Sequence, residues 1–85
     1  MSRHTFRYEL YVMESTQRFD DLRRAGRAYL NVPLDLRPEA RIVETKTRGV
    51  VTYQAVVAAR GTPPTEAELR DWALEDRFDL LKEGA

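Results

Sequence analysis

The strongest constraint on the fold lies near the start of the chain, where residues 4–14 (HTFRYELYVME) alternate in polarity. Phe6, Tyr8, Leu10 and Val12 fall on one face, and Arg7, Glu9 and Tyr11 on the other. Successive side chains of a β-strand point to opposite sides, so this period of two predicts a strand packed on one side only. The apolar face of such a strand needs a covering layer, which favours an α+β arrangement.

The rest of the chain divides by the same logic. In STQRFDDLRRAG, Ser15 or Thr16 can cap a short helix running to Ala25 with Gly26 just past its end; a loop fits as well. RAYLNVPLDL alternates again, with Ala28, Leu30, Val32, Leu34 and Leu36 against Tyr29, Asn31, Pro33 and Asp35. Gly26 to Leu34 therefore reads as a turn leading into a strand, with Pro33 at its end or edge. Residues 35–48 admit two readings. Asp35 can cap a helix with Pro38 in its first turn, a stripe of Leu36, Ala40, Val43 and Thr47, and Gly49 at its end. Alternatively RIVETKT is a strand that pairs with VVTYQAVVAA through a turn. In either case Val50 to Ala59 reads as a strand with Val51, Tyr53, Ala55, Val57 and Ala59 on one face, and RGTPP breaks the chain. Residues 65–83 read as a helix. Thr65 and Glu68 fit a capping box, Glu66 and Glu68 sit in the positive first turn, and Lys82 and Gly84 close the end.

These elements imply one α+β domain over residues 1–85: a small antiparallel sheet of three to four strands with a C-terminal amphipathic helix packed on one face. The expected core is Phe6, Tyr8, Leu10, Val12, Leu30, Val32, Val51, Tyr53, Ala55, Val57, Leu69, Trp72 and Leu80. With 42% hydrophobic and 33% charged residues the composition is globular. Neither a signal sequence nor a membrane helix is legible, so a cytoplasmic protein is expected.

Few residues offer chemistry. There is no cysteine, one histidine (His4) near the terminus, and only Ser2 and Ser15 among serines. No nucleophile–base pair or phosphate-binding glycine loop is present, so no catalytic residue, cofactor or metal is assigned and the chain reads as non-enzymatic. Asp71, Glu75 and Asp79 recur every four residues and read as a solvated acidic helix face rather than a cation site. The net charge is zero, yet residues 1–61 carry +4 and residues 62–85 carry −4. Arg18, Arg23, Arg24 and Arg27 form a candidate basic contact patch, and a nucleic-acid-binding regulator using this basic body is an alternative reading, although Asp20 and Asp21 lie among them, which weighs against nucleic acid.

The C-terminal helix carries two apolar stripes. Leu69, Trp72, Ala73 and Leu80 form one; Leu74, Phe78 and Leu81 form another roughly 140° away, with Arg70 and Arg77 between them. One stripe can seal the sheet while Leu74, Phe78 and Leu81, flanked by Arg70 and Arg77, meet another protein, a larger complex or a second copy. Alternatively both are buried in one broad groove, with the arginine stems along it. The expected function is a protein-binding module, an adaptor or regulator.

FRYEL at 6–10, LRRAGRAYLNVP at 22–33 and a glycine at 49 before VVTYQAV together resemble the small linker domain of phycobilisomes. That family shows an F-x-Y-E-V start and an I-R-x-S-G-x-x-F-x-x-V-P centre. Phe6, Tyr8, Glu9, Arg23, Gly26, Val32, Pro33 and Gly49 match, and Leu22, Ala25 and Tyr29 are close substitutes. The likeness spans about residues 6–58. It implies a three-stranded sheet, a helix over 35–48, and a non-catalytic role as an assembly scaffold in a biliprotein disc. The chain departs from the family in its zero net charge, in Arg48 where the family pairs two glycines, and in its acidic C-terminal helix.

Overall fold

A computed structural model describes residues 5–74. Strands β1 (Tyr8–Val12), β2 (Ser15–Phe19) and β3 (Ala40–Glu44) form one antiparallel sheet in the order β2-β1-β3. Helices α1 (Leu22–Leu30), α2 (Thr52–Arg60) and α3 (Glu66–Asp71) complete the α+β fold, with a 3₁₀ turn at Arg37–Glu39. Both outer strands run antiparallel to β1, so they are parallel to each other. Helix α1 carries the chain from one to the other, a split β-α-β unit with β1 threaded between.

Strand β1 obeys its alternation: Tyr8 and Leu10 are buried, whereas Arg7 is exposed and Glu9 and Tyr11 are partly so. The next element corrects the helix-or-loop reading, because Ser15–Phe19 is a strand. It pairs with β1 from Tyr8↔Phe19 to Val12↔Ser15 across the two-residue turn Met13–Glu14. Met13 holds φ at 54°, left-handed backbone normally left to glycine or asparagine. The polar STQRF carries no local strand signal, and pairing imposes its shape.

The turn-and-strand reading of residues 26–34 is also overturned. Asp21, whose carboxylate accepts the Arg23 N–H at 3.4 Å, caps a helix that runs through Gly26 to Leu30. Its half-buried Leu22 and buried Ala25, Gly26 and Tyr29 follow helical spacing. Gly26 sits where α1 crosses α2. A Cβ there would run into the Ala55 carbonyl and lie 2.8 Å from the Ala59 methyl. The glycine therefore serves close helix approach, not helix termination.

Of the two readings of 35–48, the strand holds for Ala40–Glu44, preceded by Pro38 in the 3₁₀ turn. Its expected hairpin partner is reduced to one bridge, Val43↔Val50. Val50 to Ala59 is otherwise not a strand, since Thr52 opens α2. An unbroken apolar run suits a buried strand or a buried helix equally, and here the helix covers α1. The start of α2 seals the outer edge of β3. The Ile42 N–H donates to Thr52 Oγ1 at 2.9 Å, and Ile42 O accepts the Val51 N–H at 2.8 Å.

The core lies between the sheet and the helices. Tyr8, Leu10, Ala40 and Ile42 meet Ala25 and Tyr29 of α1, Ala55 and Val56 of α2, and Trp72 and Leu74. Each large buried aliphatic contributes about 1.5–3 kcal/mol. Of the expected core, Tyr8, Leu10, Val32, Ala55 and Trp72 are buried, Phe6, Val12, Leu30, Val51, Tyr53, Val57 and Leu69 only partly; Leu80 lies outside the described residues.

The capping box at Thr65 and Glu68 forms as read, but the helix it opens ends at Asp71. Ala73 turns left-handed (φ 57°), and the Leu74 N–H returns to Leu69 O at 2.8 Å, a Schellman ending.

Candidate functional site

The two stripes of the C-terminal segment do not persist as helical stripes through Leu74. Trp72 and Leu74 are both buried in the core, Leu74 completely. Arg70 is exposed. Phe78, Leu81 and Arg77 lie outside the described residues, as do Glu75 and Asp79 of the acidic row.

Trp72 is clasped by two arginines. The Arg37 guanidinium lies 4.6 Å from its ring centroid and 5.8 Å from that of Tyr29; Arg60 lies 5.6 Å from Trp72. Arg37, only 7% exposed, donates through Nη2 to Leu30 O at 2.7 Å and Val32 O at 2.9 Å, satisfying carbonyls at the end of α1. Arg60 grips Glu68 with two bonds of 2.8 and 3.0 Å. The Arg60 guanidinium, then the Thr65 N–H, hold the Glu68 carboxyl at about 2. The Glu68 carboxylate thus serves both its helix cap and the clasp, which docks α3 onto the body. Arg37 Nη2, both Nη groups of Arg60 and the Glu68 oxygens are engaged within the fold.

The outer face of the sheet is a different assembly. Alternation and register stack two cross-strand rows there: Arg18, Glu9, Val43, and Thr16, Tyr11, Arg41. Glu9 is the hub. Its Oε1 accepts the Tyr11 hydroxyl at 2.6 Å, its Oε2 accepts Arg18 Nε at 3.2 Å, and Arg48 stands 3.6 Å away. The Tyr11 hydrogen bond, opposed by partial burial and aided by Arg18 and Arg48, holds the Glu9 carboxyl below its ordinary value. Arg41 stacks on Tyr11 at 5.3 Å. Arg18 and Arg48 keep 58% and 68% of their side chains in solvent, and Arg41 and Thr16 are exposed. Among the described residues the two rows and Arg48 thus bring the guanidiniums of Arg18, Arg41 and Arg48 onto the face of the Glu9 carboxylate.

Of the four arginines read as a basic patch, Arg18 belongs to this face. Arg23, Arg24 and Arg27 are exposed on α1. Arg18 and Arg24 share a depression with Asp20 and Asp21, so the charges at that corner are mixed.

A third surface lies where the residues flanking the β1–β2 turn meet the chain leaving α1. Val12, Ala28, Val32 and Pro33, with Ser15, Gln17 and Asn31, line a groove of about 350 Å³. Met13 follows Val12 and Leu34 follows Pro33, and each is 68% exposed. The alternation of residues 27–36 puts Leu34 in a strand, and Met13 carries no signal of its own within residues 4–14. A methionine at a two-residue turn becomes a signal only once the hairpin is known.

Among the described residues no group of three or more His, Asp or Glu is placed to hold a metal ion, and no helix is long and apolar enough to cross a membrane. No protein-family model, curated protein or solved structure matches the chain.

Proposed function

We propose that the chain is a non-enzymatic, cytoplasmic protein-binding module, an adaptor or regulator that docks onto a larger protein through the apolar end around Met13 and Leu34. The carrying observation is that two exposed large apolar side chains, Met13 and Leu34, each follow a residue that lines a groove of mixed apolar and polar walls. Exposed apolar clusters rimmed by polar groups favour protein contact, and methionine is enriched at such interfaces. The strained turn supports the same reading. Glycine would relieve φ at position 13, whereas methionine puts a flexible apolar side chain at the tip. A linker-like assembly scaffold is a narrower form of this reading. It rests on the sequence blocks alone, and a strand stands at Ala40–Glu44 where the resemblance implies helix.

The test compares the wild-type chain with a Met13→Glu/Leu34→Glu double variant. Both are captured from native lysate, and far-ultraviolet circular dichroism monitors the fold. A stoichiometric protein held by the wild type and lost by the equally folded variant is the expected result. Equal retention by both chains would remove this surface from the interface.

A further inference from the structure

The outer face of the sheet supports a second binding activity, independent of the apolar end. We infer that this face binds single-stranded nucleic acid, with Arg18, Arg41 and Arg48 meeting phosphates and the stacked Arg41–Tyr11 pair offering a platform for a base.

Charge is the first argument. The whole chain is neutral, yet among the described residues Arg18, Arg41 and Arg48 gather with one carboxylate, Glu9, on one side of a three-stranded sheet. The carboxylate is already engaged by Tyr11 and Arg18. All three cations are arginine, whose planar fork donates in pairs to phosphate oxygens and stacks on flat rings.

Composition separates nucleic acid from an acidic protein. A protein interface needs an apolar centre depleted of charge. Here the two cross-strand rows contribute only Val43, itself buried at 5% exposure, and the ring of Tyr11. Nucleic-acid interfaces are more polar and more positive than protein interfaces, which is what the rows provide.

Shape separates single from double strands. Entry into a major groove takes a helix or a two-stranded ribbon. Three adjacent strands make a broader surface, with α1 and α2 packed behind it. Exposed bases of single strands stack on aromatic rings and on guanidinium planes, and Tyr11 lies on the central strand with Arg41 against it. Among the described residues no helix covers this side.

The experiment is fluorescence anisotropy of a labelled oligothymidylate, about 20 nucleotides long, titrated with the full chain at several salt concentrations. Three phosphates neutralised on a single strand give a slope of log affinity against log salt of about −2. The Arg18→Gln/Arg48→Gln variant is expected to lose more than tenfold in affinity and most of that slope. Both side chains are largely in solvent, so its circular dichroism should match the wild type. Tyr11→Leu should weaken binding about tenfold with the salt slope unchanged, the signature of lost stacking. No binding at about 0.1 mM protein and low salt would overturn the inference, as would an unaltered double variant. Equal affinity for the duplex would overturn its single-strand part. Competition by polyglutamate as effective as by unlabelled oligothymidylate would reassign the face to acidic proteins. Met13→Glu/Leu34→Glu should bind the oligonucleotide normally, so failure at either surface leaves the other reading standing.

Discussion

Leu10 and Tyr11 are chain neighbours in β1, yet they belong to opposite sides of the sheet and to different physics. Leu10 is 1% exposed in a core built with two helices. Tyr11 ties its hydroxyl to Glu9 and its ring to Arg41, on a side where Thr16, Arg18 and Arg41 remain exposed. The inner face is held by exclusion of water. The outer is organised by directed polar contacts that leave donors facing solvent. A split β-α-β unit with its helices on one side produces this difference, because the same alternation serves both faces.

The most direct way to break the comparison is to truncate each neighbour in turn. Leu10→Ala should cost about 3 kcal/mol, through lost burial and the cavity left behind. Tyr11→Ala, which removes one hydrogen bond and one cation–ring contact at a half-exposed site, should cost about 1 kcal/mol. Urea unfolding midpoints measure both. Similar losses would mean that the outer face is also a stability element.

Gly26→Ala tests the helical layer that distinguishes the two sides. The added methyl meets the Ala55 carbonyl, backbone that cannot rotate away, so α1 and α2 must separate at a cost of about 2 kcal/mol. Wild-type stability in this variant would mean that the helices repack without difficulty.

An effect as small as that of Tyr11→Ala belongs to the clasp. Glu68 titrates near 4.5 when unfolded and at about 2 when gripped by Arg60. A lowered folded value means that its contribution is complete above about pH 4.5 and lost as pH falls towards 2. Glu68→Gln should cost about 1 kcal/mol at neutral pH, discounted for partial exposure, and should flatten the loss of stability between pH 4.5 and 2. An unchanged acid profile would show that the Arg60–Glu68 pair is energetically silent.

Legibility followed the range of the forces involved. The two faces of β1 were readable from alternation because each side chain there has one preferred environment. The Thr65–Glu68 cap was readable because both its bonds close within four residues. Gly61 ends α2 in left-handed backbone where a break was expected. Residues 15–19 were not readable, since five largely polar residues become a strand only through register with β1. Gly26 misled in the other direction. A glycine after Arg-Arg-Ala suits a helix end, and only the crossing with Ala55 and Ala59 gives it a place inside one.

The candidate sites show the same division. Arg18 was singled out from sequence, but as part of a helix-and-turn cluster; its row with Glu9 exists only because β2 pairs with β1. Arg41 and Arg48 were hidden while residues 35–48 could be helix or strand. Leu74 seemed available for a partner as long as one helix ran from 65 to 83, and the turn at Ala73 places it in the core.

By itself the sequence determined the amphipathic first strand, the capped start of α3, the glycine–proline break between α2 and α3, and an α+β class lacking an obvious catalytic set. Each rests on periodicity or on contacts a few residues apart. Tertiary structure alone decided that Ser15–Phe19 is a strand, that Thr52–Arg60 is a helix, and that Arg18, Arg41 and Arg48 share one face with Tyr11. An apolar run or a polar pentapeptide has two local conformations of similar free energy, and burial against a distant partner selects between them.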